Sequence, residues 1–455
     1  MSRRTRGTVL SSLALVTALV AGACGGGSSS SSKETGWASA DPHKASGKVV
    51  AWAWGDNQEI ADGIAARFME AYPNIEMKFQ VVALPEYVKK LSAALASGKG
   101  PDVYNLGIDM IPQFGPLSED LTPLYESALG KDWESKMLPA MVEEGTHKGR
   151  RVGAPGNITG AGTVIVNQGL LKSLGLTWPA DITSIDELAG FCAQVRAKGK
   201  GCLGVGAKDE WVSQDVLQAL ANSIKPGVFR QAVEGKTPWT DPTLVKAFDL
   251  WQQLFDKRIV QDGALAMAMY PDTDQAFIQG KYVASAMGTW IAQNFTTENS
   301  IAYQKAAGVK NPKPLRTTVE RFPGVGGTPV DVFASASWGT AINSSGKNKA
   351  AAAAWVNWYA LDAKGEPKHA ADTLVGPASI RGVKAEPKGL AYPDLVAPSI
   401  AYLSEQMADV KEVRAITYPK LITALGLALQ QSASGTGSKS VTEQLQAASA
   451  AVDRT

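Results

Sequence analysis

Few residues in this 455-residue chain have the types and spacing that covalent or metal chemistry requires. The sequence holds three histidines and three cysteines, and none of them shows the spacing of a Cys/His metal site. The Gly-x-Ser-x-Gly motif of serine nucleophiles, the HExxH motif of zinc enzymes and the glycine-rich phosphate loop are also absent. We therefore expect no catalytic residue, no metal ion and no cofactor.

Non-covalent binding has more support, because large aromatic and acidic residues follow several predicted strands. The candidates are Trp54 at the end of residues 49–54 and Asp56 just after them, Asp109 after residues 103–106, and Trp211 after residues 203–205. Two of them have an alternative interpretation. Trp54 alternates with Trp52, so one of the two faces the core, and Asp56 is also placed to cap the helix that follows.

The elements that position these residues follow from the apolar periodicity of the chain. Apolar residues recur every four positions over residues 60–68, as on one helix face, and every two positions over residues 75–81, as in a strand. The order strand, helix, strand, helix, strand up to residue 106 favours a parallel sheet with helices on both faces. Such sheets bind ligands beyond the carboxyl ends of their strands, where the candidates lie.

Other aromatic residues are better explained by packing. Trp251 belongs to an apolar helical stripe that also holds Phe248, and Trp355 and Tyr359 share a predicted helix face with Trp358 beside them. The chain is also too long for a single compact core, so we expect two domains of the α/β class.

The first 46 residues indicate export. Residues 1–23 combine three arginines with an apolar stretch of roughly 16 residues, which is shorter than a membrane-spanning helix requires. The sequence leading to Cys24 resembles a lipobox, in which the cysteine receives a lipid, although Ala21 stands where that pattern prefers a larger aliphatic residue. An ordinary cleaved signal peptide is the alternative. Residues 24–46 are rich in Gly and Ser and predict a lipidated flexible tether.

Charge and cysteine content narrow the function further. The chain has 45 basic and 43 acidic residues, and residues 1–23 hold three of the arginines and no acid. The remainder is nearly neutral, which argues against a nucleic-acid partner. Outside the cytoplasm, Cys192 and Cys202 are expected to form a disulfide, with two free buried thiols as the alternative.

Five local patterns resemble the extracellular solute-binding proteins of carbohydrate ABC importers, the family that contains maltose-binding protein. They cover nearly the whole chain after the tether. The patterns are Trp54-Gly55-Asp56 with a helix to Phe68 and Tyr72-Pro73-Asn74-Ile75, the glycine and Pro-Asp-Val element 96–103, the segment 277–290 ending in Gly-Thr-Trp, the segment 337–342 followed by 347–359, and the segment 376–381.

This resemblance implies a two-lobed periplasmic-binding-protein fold, in which each lobe is a mainly parallel sheet flanked by helices. It implies an N-terminal lobe of residues 47–155 and 336–376, a C-terminal lobe of residues 160–332 and 382–455, and three hinge crossings near 153–162, 333–342 and 375–381. It also adds ligand-binding candidates, namely Trp290, Trp338 and Arg381. Trp338 could instead pack beneath the crossing, and Arg381 could instead pair with a nearby acid.

The resemblance implies a monomeric receptor that is lipid-anchored on the outer face of the cytoplasmic membrane. It would capture a sugar or oligosaccharide and deliver it to the permease subunits of an ABC importer. Aromatic platforms suit the flat C–H face of a sugar, and carboxylate or guanidinium groups suit its hydroxyl rim. The alternatives are a receptor of the same fold for a non-sugar solute and an exported enzyme that acts on glycosides.

Overall fold

The computed structural model of this protein describes residues 36–452, apart from residues 56, 139, 140, 143, 337, 409, 415 and 417. The predicted signal peptide, Cys24 and the candidate Asp56 lie outside the described residues. None of the helices in the described part of the chain has both the length and the apolar character that a bilayer crossing requires.

The described strands are numbered along the chain. They are β1 (Gly47–Trp54), β2 (Ile75–Val82), β3 (Val103–Gly107), β4 (Thr146–His147), β5 (Arg150–Arg151), β6 (Thr159–Ala161), β7 (Thr163–Asn167), β8 (Gly201–Gly204), β9 (Tyr282–Ala286), β10 (Thr317–Arg321), β11 (Phe333–Ser335) and β12 (Trp338–Ile342).

The described α-helices are numbered in the same way. They are α1 (Gln58–Ala71), α2 (Leu84–Ala96), α3 (Ile111–Phe114), α4 (Thr122–Leu129), α5 (Gln168–Leu174), α6 (Ile185–Ala197), α7 (Glu210–Asn222), α8 (Val228–Val233), α9 (Pro242–Asp256), α10 (Asp274–Ile278), α11 (Thr297–Ala306), α12 (Lys349–Val356), α13 (Glu366–Asp372), α14 (Pro393–Ala408), α15 (Pro419–Ala433) and α16 (Ser438–Ala450). Short 3₁₀ turns at Ile108–Met110 and Thr289–Phe295 also matter for the site.

The first lobe is built on a four-stranded sheet in the order β12-β3-β1-β2. Strand β1 pairs in parallel with β2 and β3, and β12 closes the sheet antiparallel to β3. The predicted strand and helix order is confirmed here, because the alternating residues Ile75, Met77 and Phe79 and the helix residue Phe68 are all buried. Side chains at the ends of β1 and β3 therefore reach the same edge of the sheet.

The second lobe has a separate core and a four-stranded sheet in the order β10-β7-β9-β8. Only β8 and β9 pair in parallel, whereas β7 pairs antiparallel with both β9 and β10. The prediction of a mainly parallel sheet is therefore wrong for this lobe. The reason is that β7 enters directly from the other lobe through β6, so no helix precedes it to return the chain in the parallel direction.

In the described part of the chain, three segments that lie side by side run between the two cores. Strand β6 pairs antiparallel with β11, and single bridges join Ala154 to Thr340 and Asn157 to Ala378. These segments coincide with the three predicted crossings.

The last part of the predicted tether packs against the first lobe. Within residues 36–46, Ala38 and Ala45 are buried in the core of the first lobe, and Trp37 packs against the same core. The prediction of a flexible segment up to residue 46 is wrong for this part, because its apolar side chains find partners on the lobe surface.

A disulfide joins Cys192 on α6 to Cys202 on β8, with the two Cα atoms 5.2 Å apart. Both cysteines are buried in the second core. The bond links a helix to the strand that follows it, and it lies within one lobe.

Candidate ligand-binding cleft

A cleft of about 450 Å³ lies between the two lobes, a volume within the ~300–1,000 Å³ typical of small-molecule sites. Both lobes and the crossing segments contribute to its walls. The lining is mostly apolar and aromatic, and includes Trp54, Asn57, Ile60, Ile64, Phe79, Val81, Asn105, Asp109, Met110, Asn157, Thr159, Trp211, Tyr270, Trp290, Gln293, Tyr303, Trp338, Tyr359, Glu366 and Arg414.

The wall of the first lobe carries a row of aromatic rings. Trp54 ends β1 and Trp338 begins β12, and their ring centroids are 6.2 Å apart with the planes nearly perpendicular. Trp338 in turn lies 6.0 Å from Tyr359, and Trp54 lies 5.3 Å from the buried Tyr87. Because the edges of neighbouring rings support them, the two half-exposed indoles are held in fixed orientations.

The wall of the second lobe carries a matching group of three rings. Trp290, in the 3₁₀ turn after β9, donates a hydrogen bond of 2.9 Å from Nε1 to the Tyr270 hydroxyl. Trp211, in the first turn of α7, lies 5.9 Å from Trp290 and 6.3 Å from Tyr270 between ring centroids. The cleft thus has aromatic platforms on both sides.

The ion pair between Arg414 and Asp215 packs against the aromatic group of the second lobe. The Arg414 guanidinium donates from Nε to Asp215 Oδ1 at 2.9 Å and from Nη2 to Oδ2 at 2.7 Å. Its carbon Cζ lies 5.0 Å from the ring centroid of Trp290 and 5.6 Å from that of Trp211. Such cation–π contacts stabilise by roughly 0.5–2 kcal/mol, so Arg414 holds the two indoles as well as its carboxylate partner.

A second ion pair lines the first-lobe wall at the start of α13. Glu366 is buried and accepts from Arg67 Nη2 on α1, at 3.2 Å to Oε1 and 3.1 Å to Oε2. Burial raises the pKa of the Glu366 carboxyl to about 7, and the nearby Arg67 opposes this rise only in part. Burial likewise raises the pKa of the neighbouring Tyr359 hydroxyl well above its usual value.

Asp109 has a different environment from Glu366. It lies in the 3₁₀ turn after β3, and its side chain lines the cleft while it stays exposed to water. Partial loss of hydration within the cleft raises the pKa of Asp109, and the backbone N–H groups of Asp109 and Met110 offset the rise in part. No ion pair among the described residues includes Asp109.

Three nitrogen donors on cleft-lining residues have no partner among the described atoms. They are Asn57 Nδ2, Asn157 Nδ2 and Trp211 Nε1, one from each lobe and one from the first crossing segment. The amide orientation of Asn57 follows from its Oδ1, which accepts from the Ile60 N–H at 3.2 Å and caps α1. Buried donors without partners are rare, since each costs roughly 1–3 kcal/mol.

A protein-family model described as bacterial extracellular solute-binding protein matches residues 54–366, which is more than half of the chain. The chain belongs to this family. A curated relative, an uncharacterized ABC transporter extracellular-binding protein of Pyrococcus horikoshii, is 23% identical over 303 residues, covering 64% of this chain and 65% of the relative. The match thus spans slightly less than two thirds of that relative.

Solved structures agree on the fold of this solute-binding protein. Maltose-bound MalE3 of T. maritima is 19% identical with a TM-score of 0.68, covering 88% of this chain and 98% of that one. A structure from a study of xylan utilization by Caldanaerobius polysaccharolyticus is 16% identical with a TM-score of 0.68, covering 88% and 99%. The predicted two-lobed fold is confirmed.

The solute-binding protein brings five of the predicted binding residues together. Trp54, Asp109, Trp211, Trp290 and Trp338 all line the interlobe cleft. Trp52 and Trp54 are both partly buried against the first core, and of the two only Trp54 lines the cleft. The prediction that one of them faces the core and the other the cleft is wrong, because residues two apart on a strand lie on the same face. Trp211 follows β8 as predicted, and it lines the cleft from the first turn of helix α7.

Arg381 is not brought to the cleft. Its Nε donates to the Met137 carbonyl at 2.8 Å, its backbone N–H donates to Lys136, and its side chain is exposed. The motif located the return crossing but not the direction in which this side chain leaves it.

Several cleft residues were missed by sequence reasoning. Tyr359 packs as predicted, with its ring centroid 4.9 Å from that of Trp355, but it also lines the cleft. Tyr270, Asn157 and Arg414 carry no motif. Among the described residues, no group of three or more His, Cys, Asp or Glu could hold a metal ion.

Proposed function

We propose that this solute-binding protein captures a saccharide between its lobes and delivers it to the permease of an ABC importer. The observation that carries the proposal is the pair of aromatic walls that face each other across one cleft, Trp54 and Trp338 on one lobe and Trp211 and Trp290 on the other. Aromatic faces bind the C–H faces of sugar rings, and the polar groups between them suit the hydroxyl rim.

The uncompensated donors support the same ligand class. A saccharide presents hydroxyl, ether and glycosidic oxygens around its whole rim, each of which accepts hydrogen bonds. Asn57, Asn157 and Trp211 require acceptors in the two lobes and at the crossing between them. A ligand that supplies all three stabilises the closed arrangement of the lobes relative to an open one, which is how ligand capture would be signalled.

The proposal extends to location and chemistry. The relatives are binding proteins by their descriptions, and the structurally similar MalE3 was solved with maltose bound. We infer binding without turnover, three hinge crossings between the two lobes with the bounds given above, and action as a monomer. The Cys24 lipid would anchor the protein at the outer face of the cytoplasmic membrane.

The test is a thermal-shift screen followed by isothermal titration calorimetry. The ligands would be neutral mono- and oligosaccharides, amino sugars, uronic acids, polyamines and phosphate esters. A ligand at 100 times its Kd stabilises the folded state by about 2.7 kcal/mol, which gives a readily measured rise in Tm. A shift with saccharides and an unchanged saccharide on chromatography support the proposal. A shift only with a polyamine or phosphate ester, or release of a cleavage product, overturns it.

A further inference from the structure

The charges that line the cleft are few, and their partners differ. Among the described lining residues only Asp109, Glu366 and Arg414 carry a formal charge. A ligand that enters the cleft loses much of its hydration, so any charge on it needs a partner of the opposite sign on the protein. The availability of each of these three groups therefore decides which ligand charges the cleft accepts.

Arg414, the cationic residue of this lining, already forms an ion pair with Asp215. Both its Nε and its Nη2 donate to the Asp215 carboxylate, in the two-pronged geometry that satisfies arginine and carboxylate together. Only 11% of the Arg414 side chain and 16% of the Asp215 side chain are exposed. The guanidinium also lies over the rings of Trp290 and Trp211. An anionic ligand that contacted Arg414 would have to share its positive charge with the Asp215 carboxylate.

Glu366 also belongs to an ion pair, in which both of its carboxylate oxygens accept from Arg67 Nη2. Arg67 therefore offsets the negative charge of Glu366 whenever that carboxyl is ionised. Asp109 is the exception. Its carboxylate accepts from the backbone N–H groups of Asp109 and Met110, and it belongs to no ion pair among the described residues. It therefore leaves a negative charge facing the ligand.

We propose that the cleft selects saccharides that carry no negative charge, because Asp215 neutralises the charge of Arg414 and the Asp109 carboxylate belongs to no ion pair among the described residues. This inference rests on the proposed function. An acidic sugar would meet Asp109 without gaining a cation, whereas a neutral sugar gains the aromatic platforms and an amino sugar gains Asp109 as well. The expected order of affinity is therefore amino or neutral saccharide first and acidic saccharide last.

The selectivity is tested with probes that share one skeleton and differ in charge. Cellobiose is neutral, chitobiose carries amines and cellobiouronic acid carries a carboxylate; galactobiose and digalacturonic acid form a second matched set. Calorimetry on the full chain should show the acidic member binding at least about tenfold more weakly than its neutral counterpart. If the acidic member binds equally or more tightly, the charge inference is overturned while the proposed function stands. If no saccharide in any set binds, the proposed function fails and the inference with it.

Two variants locate the origin of the selectivity. Asp215→Asn removes the carboxylate that neutralises Arg414 and should lower the ratio of acidic to neutral Kd by about tenfold, because the positive charge of the guanidinium can then attract a ligand carboxylate. Asp109→Asn should lower the same ratio by removing the repelling charge, and it keeps the test open if Asp215→Asn does not fold.

The matched control is Asp262→Asn, which makes the same change in net charge at an exposed residue that pairs with Arg258 and does not line the cleft. It should leave the ratio unchanged. A ratio that stays at the unmodified value in a folded Asp109→Asn protein, or one that falls equally in all three variants, contradicts the inference.

Discussion

The most direct test of the cleft is removal of one platform, Trp290. Its indole is half-buried, is held by the hydrogen bond to Tyr270 and by Arg414, and lines the cleft. A sugar ring stacked on it would remove from water the exposed part of the indole together with one face of the sugar, on the order of 100 Å² of apolar surface in total. At about 25 cal/mol per Å², Trp290→Ala costs ~2.5 kcal/mol of binding free energy, or about 70-fold in Kd.

The assay is calorimetry with the tightest saccharide from the screen, at a temperature well below the Tm of each variant. Trp290→Phe should fall between the two proteins, because a phenyl ring retains part of the platform but cannot donate to Tyr270. Trp178→Ala is the matched control, since Trp178 is half-buried against Phe191 in the same lobe and does not line the cleft. A folded Trp290→Ala protein with an unchanged Kd would refute the assignment of Trp290 to the ligand surface.

Three further predictions address the crossing, the buried acid and the disulfide. Asn157→Ala should weaken saccharide binding by about tenfold with little change in Tm, because the lost donor has no partner in the unliganded protein; calorimetry and melting check this. Glu366 has a pKa raised from 4.5 to about 7, so its contribution to the free energy of unfolding is full below pH 4.5 and lost as pH rises through 7, on the order of 3 kcal/mol. Urea titrations of Glu366→Gln should lack this decline; an identical pH profile would contradict the assignment. Replacing Cys192 and Cys202 by alanine opens a loop with a sequence separation of 10 and should destabilise by roughly 2–3 kcal/mol in urea titrations, and an unchanged stability would count against the bond.

The first lobe could be predicted from the sequence because its signals are local. Alternation over residues 75–81 and the four-residue repeat over 60–68 each depend on neighbours within one element. Trp54 and Asp109 followed from the position of strand ends, and Trp290 from a motif of fourteen residues that ends on it. In each of these cases the residue and the element that positions it are close in the sequence.

The parts that were missed depend on contacts between distant segments. Arg414 reaches the cleft by pairing with Asp215, which lies 199 residues earlier, and neither residue stands in a pattern that indicates the other. The direction of β7 depends on its entry from the other lobe, which periodicity does not encode. Arg381 was predicted to bind ligand but does not line the cleft. The motif that contains it marks a crossing and does not determine that its side chain donates to the Met137 carbonyl.

The position of Arg414 also ties the second aromatic group to the crossing segments. Val413 bridges in parallel to Ala334 of β11, the Ala334 N–H donates to the Glu412 carbonyl at 2.9 Å, and the Arg414 N–H donates back to Ala334. Residues 412–414 thus lie as a third chain beside the ribbon of β6 and β11, while the Arg414 side chain holds Trp211 and Trp290.

Under the proposed function, this arrangement makes ligand stacking and lobe closure parts of one event. Trp338 begins the strand that follows β11 directly, so the platform of the first lobe is attached to the same crossing whose other side carries Arg414. A rotation about that crossing would move the two platforms relative to each other, and a sugar ring held between them would favour the rotation that brings both into contact. A ligand that stacks on only one wall gains no such preference, because it binds the open and closed arrangements equally.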